Sequence, residues 1–248
     1  MWTGVFAKQP VAGQVKTRME PLLGALLGDS GPADLALALV RDAKARLAGQ
    51  GLGLELVFAP AAGEPWFQAS FPGCSLRAQR GPGLGQRMAN WFEDVLSAGS
   101  PGSGGTAVAV GADSPWTSAT RVRTAHTKLL AGADVVLGPD HGGGYYLVGL
   151  RRPIPGLFTE IEMSTEGMFQ ATVQWIRERG LRLELLEPDY DLDVPSDWNL
   201  LERDLDQGRA VERASDWPSH LEAFAKRVRA AQHSARESRN GGDPKEIE

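Results

Sequence analysis

Three cations in the stretch KQPVAGQVKTR, residues 8–18, have the types and spacing to hold a polyphosphate. They follow directly on a short apolar segment, residues 5–7, that reads as a strand. A strand feeding a Pro and Gly turn fixes the backbone first. Lys8, Lys16 and Arg18, with Gly13 in the turn, can then converge on one anion instead of spreading into solvent. Lys16 and Thr17 resemble the end of a P-loop, but that motif needs glycine immediately before its lysine, and Val15 stands there. This argues against a Walker-type NTPase. The competing reading is a solvated basic turn, since Lys and Arg are common on surfaces.

Carboxylates supply the complementary chemistry. Asp113 lies just past the apolar run 106–110, which reads as a buried parallel strand. Ligands of open α/β sheets gather beyond the carboxyl ends of the strands, so Asp113 stands where a metal or substrate would be. Its alternative role is a turn residue before a helix that Ser118 could cap. Further on, DYDLDVPSDW carries Asp189, Asp191 and Asp193, and an extended run would point Asp191 and Asp193 to the same side. Alternating carboxylates suit a hard divalent cation, although the glycine and terminal glutamate of an EF-hand are absent. A solvated acidic turn would read the same way, with Ser196 capping the following helix.

Two glycine-rich turns complete the inventory. RGPGLGQRM places Gly83, Gly85 and Arg87 at the mouth of a helix, where backbone donors and one cation could meet a nucleotide; a plain glycine turn is the alternative. GPDHGGGYYLVGL sets Gly143 and Gly144 before Tyr145 and Tyr146, and consecutive glycines allow close backbone approach to a ligand. That turn reads as a wall facing an acceptor, or as a tight hairpin or bulge with two structural tyrosines. His141 has no second histidine or cysteine at ligand spacing, so it is not a metal ligand on this pattern. Ser164, Thr165 and Glu166 lead an amphipathic helix, with capping by Ser164 or Thr165 set against a substrate role for the turn.

The elements that must position these residues alternate between strand and helix. Apolar periodicity predicts a helix over 33–50 behind an N-cap at Ser30, a strand through Leu52, Leu54, Leu56 and Phe58, and a short helical piece around Trp66 and Phe67. Leu84, Met88, Trp91, Phe92 and Val95 recur at helical spacing, and strands are expected at 134–137, 145–150 and 182–186. Residues 99–105, GSPGSGG, read as a surface connector. Beyond 208, Leu221, Phe224, Ala225 and Val228 mark one amphipathic helix. It is expected to pack on the domain or on a second subunit, as in a homodimer, and a disordered tail should follow from 238.

Composition bounds the answer. The chain of 248 residues is 42% hydrophobic and 23% charged, enough to bury the core of one large α/β domain. A formal net charge of -5 argues against broad nucleic-acid binding and for a small anionic partner at a local cationic site. Cys74 is the single cysteine, which excludes an internal disulfide and a cysteine-based zinc cluster. No membrane-spanning run and no signal h-region are visible, so a cytoplasmic location is expected.

In order and wording these segments resemble the DUF2064 group of GT-A glycosyltransferase-like proteins, over about residues 2–202. The matching motifs are K-x-P-x-x-G-x-V-K-T-R at 8–18, G-x-LG-x-RM at 83–88, G-x-D-x-P at 111–115, GG-Y-Y-L at 143–147, ST-E at 164–166 and D-x-D-x-P at 191–195. The resemblance implies a single GT-A, Rossmann-like α/β domain over residues 1–207, with a mostly parallel twisted sheet flanked by helices on both faces. It implies Mg²⁺ or Mn²⁺ held by Asp113 and Asp193, and nucleotide phosphates held by Lys8, Gly13, Lys16, Arg18, Gly83, Gly85 and Arg87. A donor sugar or small-molecule acceptor would lie near Gly143, Gly144, Tyr145, Tyr146 and Glu166. The implied activity is sugar transfer from a nucleotide diphosphate sugar. Relatives usually carry aspartate directly before the two glycines, where this chain has Gly142. The first loop and the triple glycine also resemble guanylyltransferases that activate 2-phospholactate or phosphoenolpyruvate, so nucleotidyl transfer is the second expectation and nucleotide binding without catalysis the third.

Overall fold

The computed structural model describes residues 1–97 and 105–240. The connector read at 99–105 lies, apart from Gly105, outside the described residues; of the tail read from 238, residues 238–240 continue the last helix and the rest lies outside them. Seven strands form one sheet in the order β3-β2-β1-β4-β6-β5-β7. They are β1 (Trp2–Lys8), β2 (Leu54–Ala59), β3 (Ser75–Ala78), β4 (Ala107–Gly111), β5 (Val135–Pro139), β6 (Tyr145–Leu150) and β7 (Leu183–Leu185). All neighbours are parallel except β6, which runs antiparallel to both β4 and β5. The short glycine turn between β5 and β6 requires this, because only a crossover of a dozen residues or more can return a parallel strand.

Helices cover both faces, as expected. On one side α2 (Gly31–Leu47), α3 (Glu64–Ser70) and α5 (Ala119–Leu130) pack Val40, Phe67 and Val122 against Val5, Leu56, Phe58 and Val108. On the other, α4 (Leu84–Leu96) and α6 (Met168–Glu178) pack Trp91, Phe92, Val173 and Ile176 against Val57, Ala109, Leu137 and Val148. Adjacent strand residues thus serve opposite faces, which is why the stretch 106–110 reads as an unbroken apolar run. Each fully buried Leu, Val or Phe contributes about 1.5–3 kcal/mol. A third cluster joins α1 (Glu20–Leu27), α2, α7 (Pro195–Asp206) and α8 (Ser219–Asn240) through Leu23, Leu39, Trp198, Leu221 and Phe224. The C-terminal helix therefore lies on the domain's own α1 and α2.

Local expectations needed revision at the helix starts. Helix α2 begins at Gly31 with Pro32 in its first turn and ends at Leu47, and the Ser30 side chain makes no capping bond. Ser118 does cap α5, accepting from the Arg121 N–H at 3.2 Å. Ser196 does not cap α7; the Asp197 carboxylate reaches back to the N–H groups of Asp193 and Val194, both at 2.8 Å. Helix α6 starts after Gly167 without a side-chain cap, so neither Ser164 nor Thr165 fills that role. Among the described residues no single helix is long and apolar enough to cross a membrane.

Candidate functional site

Strands β1 and β4 are parallel neighbours, so the loops leaving their carboxyl ends start side by side, with the Ala112 N–H donating to the Phe6 carbonyl at 3.1 Å. The third wall comes from the segment before α7. There the Leu192 N–H donates to the Asp113 carbonyl at 3.0 Å, and residues 139–141 pair with Asp189 through Asp189 N to Pro139 O and His141 N to Asp189 O, each 3.1 Å. Residues remote in sequence thus meet at one sheet edge. This is the expected place for a ligand in an open α/β sheet.

Lys16 lies at the centre. Its Nζ sits 2.5 Å from Asp113 Oδ1, 2.7 Å from Asp193 Oδ1 and 2.9 Å from the Leu192 carbonyl. All three ammonium donors are satisfied. The side chain is 5% exposed, whereas Asp113 and Asp193 are 47% and 38% exposed and open outward. Buried Val15 and Met19 pin the loop on either side of Lys16, whose backbone adopts a left-handed conformation at φ 50. Non-glycine residues held there are strained by about 1–2 kcal/mol, and such strain clusters at ligand clamps. Burial pushes the Lys16 ammonium down, but Asp113 and Asp193 outweigh it and hold the group above the usual lysine range. Burial likewise pushes Asp193 up, and Lys16, Arg18 and Lys8 override it, keeping that carboxyl below the usual range.

The other cations stand around the same point. Arg18, 70% exposed, approaches Asp193 Oδ2 at 3.5 Å, and Lys8 is exposed at the end of β1. Gly13 is an exposed turn residue. Asp191, read from the sequence only as a partner of Asp193, instead turns toward Ser114, whose hydroxyl donates to Asp191 Oδ1. Burial, reinforced by the neighbouring Asp113 charge, pushes its carboxyl up to about 7.

Of the two readings left open for each glycine turn, the contacts within the protein are those of the structural one. A side chain at Gly85 would meet the Phe158 carbonyl at 2.0 Å, so that glycine serves the packing of α4; Gly83 precedes the helix in the open, and Arg87 Nε donates to the Gly81 carbonyl at 2.9 Å. Gly143, at φ +87, lies so close to the Glu166 carbonyl that a Cβ would sit 1.9 Å from it. Its close approach is to the protein itself. Asp140 accepts from the N–H groups of Gly142 at 2.6 Å and Gly144 at 2.9 Å, so its carboxylate holds the turn together. Tyr146 is buried, with its hydroxyl near Arg121 and the Glu187 carbonyl at 3.0 and 3.1 Å, and the Tyr145 hydroxyl is buried as well. Both tyrosines belong to the hairpin and neither hydroxyl reaches the Lys16 cluster. Exposed Glu166 contributes its backbone to the Gly143 contact.

Sequence reasoning missed Arg46 and Arg209. Arg46 is buried in α2 and donates to the carbonyls of Thr117 at 3.1 Å and Ser114 at 3.2 Å, holding the loop that carries Asp113. Burial pushes its guanidinium down to about 10. Arg209 bonds both oxygens of Asp189 at 3.1 Å and lies 4.9 Å over the Trp116 ring, tying the 189–193 segment to the same loop. The available signal for Arg46 was its place one turn after Asp42 among the apolar residues of α2; Arg209 had none.

Among the described residues no group of three or more His, Cys, Asp or Glu side chains is arranged to hold a metal. Two carboxylates do share one cation, and Lys16 is that cation. The donor set fits a Mg²⁺-like ion, which is commonly held by one or two carboxylates plus waters and substrate phosphates.

The family pattern described as "Uncharacterized protein conserved in bacteria (DUF2064)" matches residues 41–165, half of the chain. This protein is a member of the DUF2064 family. A crystal structure from Desulfovibrio desulfuricans G20, provisionally named a nucleotide-diphospho-sugar transferase, shares 29% identity with this DUF2064 chain at a TM-score of 0.77, covering 92% of this chain and 96% of that one. Two more distant structures show the fold alone. The 4-diphosphocytidyl-2C-methyl-D-erythritol synthase of Anaerococcus prevotii DSM 20548 has a TM-score of 0.52 and 10% identity, over 83% of this chain and 96% of that one. The CMP:2-keto-3-deoxy-manno-octonic acid synthetase, in complex with CTP, has a TM-score of 0.50 and 12% identity, over 84% and 98%. No curated protein matches the sequence. The architecture is that of GT-A-like and nucleotidyltransferase Rossmann folds.

Proposed function

We propose that this DUF2064 protein is a transferase that takes a sugar from a nucleotide diphosphate sugar and passes it to a small-molecule acceptor, with Mg²⁺ or Mn²⁺. The observation that carries this reading is the convergence of Lys16, Asp113 and Asp193, with Arg18 beside them, at the carboxyl ends of β1 and β4. The name of the Desulfovibrio relative points the same way. Lys8, Lys16 and Arg18 would hold the diphosphate, and Asp113 and Asp193 would hold the ion. When bound, the ion neutralises charge that accumulates on the leaving diphosphate. Arg46 and Arg209 keep the two carboxylate-bearing loops in register. Incubation with a panel of labelled nucleotide sugars and Mn²⁺ should release nucleoside diphosphate; no release across the panel overturns the reading.

One observation favours a second reading, nucleotidyl transfer onto a phosphorylated substrate. Gly142 stands where the family resemblance implies aspartate, and Asp140 accepts from the turn's own N–H groups, so neither position offers a carboxylate free to act as the base. A sugar hydroxyl must lose a proton to attack, whereas a phosphate oxygen is already ionised. Release of pyrophosphate from a nucleoside triphosphate, instead of nucleoside diphosphate from a nucleotide sugar, would establish this alternative.

A further inference from the structure

We infer that Lys16 is a tethered stand-in for the divalent ion, so that metal and nucleotide diphosphate enter this site together and each binds poorly alone. The inference rests on the nucleotide reading above and adds a binding order to it. Its basis is that one point in space has two claimants. Lys16 Nζ lies between Asp113 and Asp193, with its third donor on the Leu192 carbonyl. It has no donor left for a phosphate, and it holds one oxygen of each carboxylate that the proposed function gives to the ion.

Consider each ligand arriving alone. A divalent ion taking the place between the two carboxylates must break both contacts of Lys16 with them and leave a buried ammonium beside a dication. A diphosphate must draw Lys16 away, leaving Asp113 without its cation and Asp193 with only the exposed Arg18, both beside an anion. Arriving together, the phosphate oxygens receive Lys16 while the ion receives the carboxylates, and every charge keeps a partner. The exchange needs only side-chain rotation. The backbone at Lys16 is fixed by buried Val15 and Met19 and by the Met19 N–H donating to the Lys16 carbonyl at 2.8 Å. Differential binding of this kind appears as reciprocal coupling between ligands, with factors of about 5–150.

Mn²⁺ affinity of the full chain, read by electron paramagnetic resonance of the free ion, tests this without any turnover. With Mn²⁺ alone, Lys16→Gln and Lys16→Met should each bind at least about tenfold tighter than the unaltered protein. Adding the best binder among ADP, CDP, GDP and UDP should tighten Mn²⁺ in the unaltered protein by a similar factor and in the variants by far less. Variants that bind Mn²⁺ no tighter than the unaltered protein overturn the inference. Should both variants fail to fold, the Lys16 ammonium NMR signal of the unaltered protein decides. It should stay fixed through a Mg²⁺ titration and move when nucleoside diphosphate is added; movement with Mg²⁺ alone overturns the inference. If no diphosphate binds, with or without Mn²⁺, the nucleotide reading falls and the binding order falls with it. If diphosphate binds without this coupling, only the binding order falls.

Discussion

The two ends of β1 and β4 solve the problem of buried polar groups in opposite ways. At the amino ends, His126 from α5 is buried between hydroxyls, Thr106 Oγ1 at 2.7 Å from Nδ1 and Thr3 Oγ1 at 3.3 Å from Nε2, while Thr3 also donates to the Leu52 carbonyl at 2.9 Å. Burial pushes the imidazole down to about 4, so it is neutral at pH 7. At the carboxyl ends of the same strands, Lys16 and Asp193 are held charged by one another. A neutral, satisfied cluster costs little and supports the fold. A charged one loses solvation that pairing only partly restores, and replacing such clusters with apolar groups is often neutral or stabilising. The proposed function builds on its presence at the edge where ligands of open α/β sheets collect.

The largest expected effect tests that distinction. Asp193→Asn, which removes a carboxylate from the charged end, should lower turnover by about 100-fold or more in the transfer assay, while His126→Asn should leave turnover nearly unchanged once the protein is folded. Equal losses from both would erase the contrast between the two ends.

Acid should find the neutral end. The folded-state pKa of His126 is depressed below the unfolded value near 6.5, so its stabilising contribution is present above that pH and is lost as pH falls toward about 4. Urea unfolding should show a loss of roughly 3 kcal/mol from this group across that window. His126→Asn should flatten this part of the profile, and an unchanged slope would mean the imidazole is not held neutral.

Gly143→Ala decides which side of the comparison the glycine turn belongs to. The new Cβ would collide with the Glu166 carbonyl at a positive φ, so unfolding free energy should fall by about 2–3 kcal/mol. Unaltered stability with reduced turnover would return the turn to the ligand side. The smallest effect is expected at Arg209→Met, about 2 kcal/mol in denaturant, because Asp189 keeps Arg121 at 2.9 Å after Arg209 is lost. Mn²⁺–nucleotide affinity should change less than stability there, since Arg209 buttresses the carboxylate loops without touching Lys16.

Much of this arrangement was legible before folding. The unbroken apolar run 106–110 announced a buried strand, and the 3.6-residue stripe of Met88, Trp91, Phe92 and Val95 announced α4, because these periodicities follow from backbone geometry alone. The helix caps were less legible. Ser30 sits at the N-cap of α2 without a side-chain bond, and Ser164 and Ser196 lost the position to Gly167 and to Val194 with Asp197, because a cap is chosen by where the chain enters the helix. The turn at 140–144 was also ambiguous, since its glycines suited a ligand or a hairpin equally, and only the Glu166 carbonyl pressing on Gly143 showed what they accommodate.

By itself, then, the sequence determined the alternation of strands and helices, the cationic loop after the first strand and the identity of Asp113 and Asp193 as carboxylates at strand or segment ends. Tertiary structure alone decided that β6 lies between β4 and β5, that Asp191 turns to Ser114, and that Arg46 and Arg209 brace the loops from behind. It also decided that Lys16 meets two aspartates remote from it in the chain. The physical reason is range. Periodicity and turn preference are set by neighbouring residues, whereas the partner of a buried charge depends on which strands lie side by side, and that is settled only when the sheet closes.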